Sequence, residues 1–308
     1  MPLFSRFELQ YDVINQNHCN KWETEIGSVQ RILPNTTHLL LSWENFVTAI
    51  KNICEFLEQY APTRLAEDWD NVGLLAGDPS EPAAKIMTCL TITPASAAEA
   101  IERGASMIVS HHPLPFHATK RLTTDAIPTR MLWQLIRAGV AIYSPHTGFD
   151  SAAAGINSML AERLSLTDVK PLKPIPEDPD GLGSGRVGRA ENRTLADLVE
   201  TCKQQFGIDG MHIVGSLQNP VRKVAMACGS GGSFLAQARF IKCDTFVTGE
   251  ATFHTCLEAE SSGINLVLLG HYSSERFAVE VMAEKIQAAF SNVEVWASKK
   301  ESDPLQWV

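Results

Sequence analysis

Four apolar runs in this chain each end next to side chains that can bind a metal ion. The runs are 107–110, followed by His111 and His112; 141–144, followed by His146 and Asp150; 245–248, followed by Glu250; and 266–269, followed by His271 and Glu275. Each run has the length and apolar character of a buried strand. Parallel strands in open α/β sheets present functional groups at their carboxyl ends. Histidines and carboxylates collected there predict one shared metal site.

His111 and His112 are adjacent, and neighbouring side chains in an extended segment point in opposite directions. One ion could bind both rings only if the backbone bends after the strand, whereas two ions could take one ring each. The alternative is a pair of loop histidines that are merely hydrogen-bonded. A histidine pair directly after an apolar strand favours metal binding.

His271 and Glu275 are four residues apart, so they share one face if a helix begins there. A glutamate has two oxygens and can join two ions, although a glutamate is also favoured at a helix N-terminus by the helix dipole. Asp150 follows His146 by four residues and is either a ligand or the cap of the next helix. His146 could bind metal or orient a neighbouring ligand.

Two further candidates have less specific signals. Glu250 could be a ligand, a general base or a residue that orients a ligand. The backbone N–H groups of Gly229, Gly231 and Gly232 lie between a predicted strand and a predicted helix, where they could hold a phosphate or another anion. A tight strand-to-helix turn explains the same glycines. Segment 183–188 matches GxGxxG, but a Pro-rich loop precedes it instead of a strand, so we reject dinucleotide binding.

The elements that must position these residues alternate between strand and helix, which predicts two facing α/β lobes of similar plan. We predict a flexible extension over 1–41, an N-terminal lobe over 42–172, a Pro/Gly-rich connection over 173–185 and a C-terminal lobe over 186–308. The first helix is expected to begin at Ser42. Strands near 86–92 and 107–110, with a helix between them, predict a parallel βαβ unit. Segment 69–74 is typical of an Asp/Asn/Gly turn.

Composition excludes several functional classes. The formal net charge of −9 over 308 residues disfavours nucleic acid as a partner, because phosphate backbones require a basic surface. Apolar runs fall short of the roughly 20 residues that cross a bilayer, and the N-terminus does not resemble a signal peptide. Seven cysteines without a CxxC pair indicate reduced thiols. We therefore expect a cytoplasmic protein without a membrane or nucleic-acid partner.

Together, several ordered segments resemble the Nif-three-like family, also known as GTP cyclohydrolase I type 2 homologues. The similarity covers about residue 42 to the end, and the segments that carry it are 69–74, 110–114, 146–150, 185–188, 229–233, 248–250 and 270–275. Only the short Pro/Gly stretch lies where some members have an inserted domain. The chain therefore resembles the compact form of the family.

The resemblance implies a dinuclear metal site between the lobes and a toroidal homohexamer. By position, His111 and Asp150 would hold one ion, His112 and His271 the other, and Glu275 would bridge them. His146 and Glu250 would lie in or near the site as the catalytic candidates. The two divalent ions could be Zn, Fe, Mn or Mg.

Two functions are compatible with this site. The first is a metal-dependent hydrolase of the GTP cyclohydrolase type that acts on a nucleotide or a related heterocycle. The alternative is a non-enzymatic metal-binding or metal-delivery protein that acts with partners. An enzyme needs an open coordination position and a substrate pocket, whereas a carrier needs mainly reversible metal exchange.

Overall fold

The computed structural model describes residues 47–306 and has a mixed α/β architecture with two sheets. The strands are β1 (Gly73–Ala76), β2 (Lys85–Cys89), β3 (Met107–Ser110), β4 (Ala141–Ser144), β5 (Thr167–Pro174), β6 (Gly183–Thr194), β7 (His212–Val214), β8 (Pro220–Ala227), β9 (Thr245–Thr248), β10 (Asn265–Leu268) and β11 (Glu294–Ala297). The helices are α1 (Ile50–Tyr60), α2 (Pro94–Glu102), α3 (Ile127–Arg137), α4 (His146–Ser151), α5 (Ile156–Arg163), α6 (Leu195–Phe206), α7 (Leu235–Phe240), α8 (Phe253–Ser262), α9 (His271–Glu275) and α10 (Phe277–Ala289).

The first sheet has the strand order β1-β4-β3-β2-β11. Its four neighbours β4, β3, β2 and β11 run parallel, and β1 pairs antiparallel with β4. The βαβ unit expected from the sequence is confirmed, because β2 and β3 are parallel and α2 connects them. Thr93 caps α2 by accepting a hydrogen bond from the backbone N–H of Ser96, and Pro94 opens the helix.

The second sheet has the order β5-β6-β8-β9-β10-β7. Its central strands β8, β9 and β10 are parallel, while β5, β6 and β7 are antiparallel to their neighbours. Thr194 caps α6 by accepting from the backbone N–H of Asp197, and Asp197 bonds back in a capping box. The ligand-bearing ends of β3, β4, β9 and β10 are therefore carboxyl ends of neighbouring parallel strands in two sheets.

Apolar side chains cover both faces of the ligand-bearing strands. In β3, Met107 and Val109 belong to a core that both sheets share with α1, α5, α6 and α10, whereas Ile108 packs on the opposite side with α2 and α3. In β9, Val247 faces the shared core and Phe246 packs with α7 and α8. Burial on both faces explains why these strands are continuous apolar runs instead of alternating patterns. Within residues 47–306, no helix has the length and hydropathy needed to cross a membrane.

Some predicted elements begin or end elsewhere. The extension over 1–41 and the Ser42 cap lie outside the described residues, and α1 begins at Ile50 because Ala49 bridges Pro82 instead of joining the helix. The turn at 69–74 is followed by a strand that was not predicted: Gly73 opens β1 and pairs with Ser144.

The two sheets do not divide the chain at the predicted lobe boundary. The predicted connection, 173–185, overlaps the ends of β5 and β6, which form a hairpin at the edge of the second sheet. Pro171 and Pro174 are compatible with β5 because an edge strand need not donate from every backbone nitrogen. At the other end of the chain, β11 returns to the first sheet and pairs with β2.

Candidate metal centre

The backbone bends after β3, so that His111 and His112 both face the site. Their backbone N–H groups donate to the carbonyls of Cys89 and Leu90, which extends the parallel ladder beyond the strand. The Ser110 hydroxyl then donates to the His112 carbonyl at 2.9 Å and closes a tight turn. The two ring centroids lie 5.1 Å apart. This local bend brings together two side chains that an extended segment would separate.

On one side, Glu275 meets His112 and His271. Its Oε2 lies 3.2 Å from His112 Nε2 and 3.1 Å from His271 Nε2, and the two Nε2 atoms are 3.3 Å apart. Two atoms bound to one ion at about 2.1 Å are themselves about 3 to 3.5 Å apart. The separations of these three atoms therefore suit a single ion.

On the other side, Glu275 meets His111 and Asp150. His111 Nε2 lies 3.6 Å from Asp150 Oδ1 and 3.9 Å from Glu275 Oε1. His111 is 5% exposed, and neither of its ring nitrogens has a hydrogen-bond partner within residues 47–306. A buried imidazole left in this state costs about 1–3 kcal/mol per unsatisfied group, which metal ligation would relieve. Asp150 lies inside α4 and does not cap α5, which has Gly155 at its N-cap.

His146 completes a second group that could hold an ion. Single ligand atoms of His111, His112 and His146 lie within 4.8 Å of one another, as do those of His112, His271 and Glu275. His146 begins α4 with a φ of 27°, a left-handed conformation that is strained for a residue with a Cβ. In this backbone conformation, the ring of His146 lies beside those of His111 and His112.

Asp70 holds His146 from behind, a role that the sequence did not reveal. Its Oδ1 lies 2.7 Å from His146 Nδ1, and its Oδ2 accepts hydrogen bonds from both the backbone and the hydroxyl of Thr147. Burial alone would raise the pKa of Asp70, but the hydrogen bonds with His146 and Thr147 lower it to about 2. The carboxylate therefore fixes the ring orientation and leaves Nε2 as the nitrogen available to the site.

Two other groups orient the histidines on the opposite side. Thr91 Oγ1 lies 2.7 Å from His112 Nδ1, and Glu250 Oε1 lies 3.0 Å from His271 Nδ1. The Glu250 side chain is 52% exposed and lies behind His271, on the ring nitrogen that faces away from Glu275. Its geometry suits orientation of His271 better than proton transfer to a substrate.

Charge is distributed unevenly around Glu275. Burial alone would raise the pKa of Glu275, but hydrogen bonds with His112 and His271 hold it well below its ordinary value. The hydrogen bond to Glu275 raises the pKa of His271 to about 9. Burial, together with the nearby Glu275, raises the pKa of Asp150 to about 7. Burial also lowers the pKa of His111 well below its ordinary value, which favours the neutral imidazole that a metal requires.

The glycines after β8 provide space for the site instead of free amides. Gly229 N–H donates to Ser274 Oγ at 2.9 Å, and Gly231 N–H donates to Thr248 Oγ1 at 3.1 Å. A Cβ on Gly229 would lie 2.1 Å from Glu275 Oε1. Two of the three predicted anion-binding amides, those of Gly229 and Gly231, are thus already used within the protein. At Gly232 the glycine also provides space, because a Cβ there would lie 3.1 Å from the Cβ of Ala251.

Four of the five metal-ligand candidates, all except His111, line a cavity of about 890 Å³. His112, Asp150, His271 and Glu275 form part of its wall. Aromatic side chains lie at another part of the wall, where Trp69 is 61% exposed and its ring centroid is 6.1 Å from that of Phe116. A cavity of this size, with a few converging polar groups, has the dimensions of a small-molecule site.

Comparison with known proteins identifies the family. The family model for Duf34/NIF3 (NGG1p interacting factor 3) matches residues 48–304. This chain belongs to the Duf34/NIF3 family. Among its relatives, the GTP cyclohydrolase 1 type 2 homolog of Clostridium perfringens (strain 13 / Type A) is 32% identical over 261 residues, which cover 84% of this chain and 99% of the relative. The NIF3 homolog of Schizosaccharomyces pombe is 31% identical over 281 residues, covering 86% and 99% of the two chains.

Solved structures of Duf34/NIF3 relatives share the fold. A Bacillus cereus protein related to NIF3 superposes with a TM-score of 0.78 at 25% identity and covers 86% of this chain and 100% of its own. Reduced HcgD from Methanocaldococcus jannaschii superposes with a TM-score of 0.72 at 28% identity, covering 81% and 97%. The family resemblance and the α/β fold expected from the sequence are confirmed.

The structure thus brings together all five predicted metal ligands, with His146 beside them and Glu250 behind His271. Sequence reasoning missed Asp70, Thr91 and Cys228, whose thiol donates to Asp150 Oδ1 at 3.1 Å. Asp70 lies in segment 69–74, where a turn explains its residue type equally well. Thr91 and Cys228 follow strands that lie next to ligand-bearing strands, and this position was the available signal.

Proposed function

We propose that this Duf34/NIF3 protein is a dinuclear metal-dependent hydrolase that acts on a nucleotide or a related heterocycle. The observation that carries the proposal is the position of Glu275: one carboxylate oxygen faces His112 and His271, the other faces His111, and the group opens onto the 890 Å³ cavity. A carboxylate whose two oxygens face different histidines, next to a cavity of substrate size, favours a two-ion catalytic site over a closed structural one.

The chemistry of the donors fits two divalent ions. His111 and Asp150 would hold one ion, His112 and His271 the second, and Glu275 would contribute one oxygen to each. Imidazole and carboxylate donors suit Zn, Fe or Mn better than Mg, which prefers oxygen ligands. When bound, such ions would supply Lewis acidity and lower the pKa of a water molecule.

The cavity wall supports a planar substrate. Trp69 and Phe116 present aromatic surface beside His146, with both ring centroids 6.0 Å from the His146 ring. An aromatic side chain as exposed as Trp69 can offer its face to a heterocycle. Gln237 and Ser230 also line the cavity and offer hydrogen-bonding groups for the edge or substituents of such a ring. The relatives named GTP cyclohydrolase 1 type 2 homolog support a purine nucleotide as the first substrate to test.

His146 is the residue best placed to hold or transfer a proton near the substrate. Asp70 holds its Nδ1, so its Nε2 faces the site. Burial alone lowers the pKa of His146, but the hydrogen bond with Asp70 raises it above the ordinary value. The raised pKa favours the protonated ring, which could donate its proton to a leaving group. We assign Glu250 the role of orienting His271.

Turnover by metal-loaded protein tests the proposal. The protein would be loaded with Zn, Mn or Fe(II) and incubated with GTP and a panel of nucleosides and nucleotides, while formate and opened-ring products are measured. Trp69→Leu should raise KM at least tenfold, whereas Trp133→Leu, which alters a partly exposed tryptophan on α3, should leave KM unchanged. His112→Ala should abolish turnover.

Absence of turnover over the whole panel, with two ions bound, would refute the hydrolase and favour the metal-delivery alternative. Transfer of metal to an acceptor chelator would then be measured. We also propose a homohexameric assembly, which light scattering coupled to size-exclusion chromatography would test directly: a monomer or dimer would contradict it.

A further inference from the structure

Glu301 is a buried carboxylate near the end of the chain. It lies in the irregular segment after β11, yet its side chain is 2% exposed. Its two oxygens accept hydrogen bonds from the backbone N–H groups of Leu90 at 2.9 Å and Thr91 at 2.5 Å. Arg276 Nε lies 3.1 Å from the same carboxylate. Two backbone donors from one segment and an ion pair with a second, distant segment therefore surround this C-terminal side chain.

The first of these segments holds His112. Thr91 Oγ1 lies 2.7 Å from His112 Nδ1, and the Leu90 carbonyl accepts the His112 backbone N–H at 2.8 Å. An imidazole that binds an ion through Nε2 carries its proton on Nδ1 and must donate it to an acceptor. Glu301 fixes the backbone of the residue that supplies this acceptor. A shift of Thr91 would release the ring of His112.

The second segment carries His271 and Glu275. Arg276 directly follows Glu275, and Tyr272 directly follows His271. The Tyr272 hydroxyl donates to the Glu301 backbone carbonyl at 3.4 Å, and Arg276 also donates to the carbonyl of Ser298 at 2.9 Å. The C-terminal segment thus contacts both chain segments that meet at His112 and Glu275.

We propose that Glu301 is a positioning residue for the ion held by His112 and His271. It fixes Thr91 against His112 on one side and the start of α10 against Glu275 on the other. The inference rests on the proposed metal centre, but not on any particular reaction there. Its side chain contacts Leu90, Thr91 and Arg276, and Thr91 in turn contacts His112. Because Glu275 would serve both ions, the route through Thr91 is the one that makes the effect larger for the ion held by His112 and His271.

Metal affinity in Glu301→Gln tests the proposal. The amide has one acceptor oxygen where the carboxylate has two, so its NH2 group would face one of the two backbone N–H groups and Thr91 would lose its fixed position. Co²⁺ binding would be followed by competition with a chelator and by the visible absorption spectrum of the bound ion. We expect the ion held by His112 and His271 to bind about 10- to 100-fold more weakly, with an altered spectrum, and the other ion to be weakened far less. Unchanged binding of both ions, or equal weakening of both, would overturn the proposal.

Asp303→Asn is the matched control. Asp303 lies in the same C-terminal segment, but its carboxylate accepts a hydrogen bond from the nearby backbone N–H of Leu305. Both affinities and the spectrum should match those of the unaltered protein. Two tightly bound ions without hydrolysis of any substrate would refute the hydrolase and leave the role of Glu301 intact, whereas absence of metal binding in the unaltered protein would refute both.

A second pair of variants tests the same route if Glu301→Gln does not fold. Thr91→Val removes the hydroxyl that meets His112 and retains the branched side chain, whereas Thr91→Ser retains the hydroxyl. The valine variant should lose about 10-fold or more in affinity for the same ion, and the serine variant should restore it. Equal affinities in both variants would overturn the proposed route through Thr91.

Discussion

Around Glu275, the proposed metal centre has two halves, and the ligand atoms of His112 and His271 lie closer together and have more hydrogen-bond partners than those of His111 and Asp150. In the first half, the ligand atoms lie 3.1–3.3 Å apart, and Thr91 and Glu250 hold the outer ring nitrogens. In the second half, the separations are 3.6 and 3.9 Å, and neither ring nitrogen of His111 has a hydrogen-bond partner in the described part of the chain.

Neighbouring side chains orient the histidines of one half, whereas His111 in the other half has no hydrogen-bond partner among residues 47–306. Thr91 and Glu250 fix the ring orientations of His112 and His271 before metal binds, which reduces the entropy lost on binding. His111 instead lies buried with unsatisfied nitrogens, and the pKa of nearby Asp150 is raised to about 7. Because a proton on His271 competes with the ion below its pKa of about 9, we expect the His112/His271 half to bind its ion more tightly than the Asp150 half at pH 9 and above.

The largest effect is expected from removal of the shared ligand. Glu275→Ala should abolish binding of at least one ion and weaken the other more than 100-fold, because its two oxygens face opposite halves. Inductively coupled plasma mass spectrometry after desalting measures the stoichiometry. Glu284→Gln, an exposed position on α10, is the control. Two ions retained in Glu275→Ala would refute the shared role.

A large effect on stability is expected from Arg186, which supports the Asp150 half from the second sheet. Its guanidinium donates to the carbonyls of Ser151 and Ala152, directly after Asp150, and to Gly183 and Gly185. Arg186→Met should lower the free energy of unfolding of the metal-free protein by about 3 kcal/mol, because buried carbonyls lose their donors.

Urea denaturation measures this loss. The control is Arg189→Met in the same strand: the side chain of Arg189 is 75% exposed and forms a surface ion pair with Asp168, so its loss should change stability by less than about 1 kcal/mol. Equal destabilisation by both substitutions would show that burial of Arg186 does not matter.

A moderate effect is expected from pH, and it separates the two halves. Metal binding requires neutral His271 and ionised Asp150, so protons compete with the ion below each pKa. With a pKa of about 9, His271 should make the affinity of its half rise about tenfold per pH unit between pH 7 and pH 9.

Over the same range, the affinity of the Asp150 half should be nearly constant, because the pKa of Asp150 is about 7. Below pH 7 the affinities of both halves should fall. Competition with a chelator at several pH values measures the metal affinity of each half in the unaltered protein. If the affinities of the two halves rose equally with pH above pH 7, the placement of His271 and Asp150 in different halves would be contradicted.

The smallest effect is expected from Cys228. Its thiol donates to Asp150 Oδ1 at 3.1 Å, and burial raises the pKa of the thiol well above its ordinary value, so it remains a neutral donor. Cys228→Ala should weaken the ion of the Asp150 half by a few-fold, while Cys228→Ser should preserve a donor and the affinity. A loss of metal affinity confined to the His112/His271 half would contradict the role of Cys228 beside Asp150.

The sequence was informative where signals are local. Apolar runs predicted the strands because both faces of β3 and β9 are buried, and the four-residue spacing of His271 and Glu275 predicted a shared helical face. The strand ends predicted which side chains lie close together, because parallel neighbours end at the same edge of a sheet. The predicted roles of the individual site residues remain predictions.

Contacts between distant segments were not accessible from the sequence. Asp70 meets His146 across 76 positions, and a turn explained its residue type without that contact. Glu301 reaches Thr91 across 210 positions. The pairing of β11 with β2 also joins segments far apart in the chain. The apolar pattern of a short strand does not indicate which sheet the strand joins.

The most direct test of the central claim is anomalous diffraction from metal-loaded crystals at the absorption edge of the bound metal. We predict two peaks about 3.5–4 Å apart, with one Glu275 oxygen on each, His112 and His271 at one peak and His111 and Asp150 at the other. A single peak, or two peaks that Glu275 does not join, would contradict the dinuclear account.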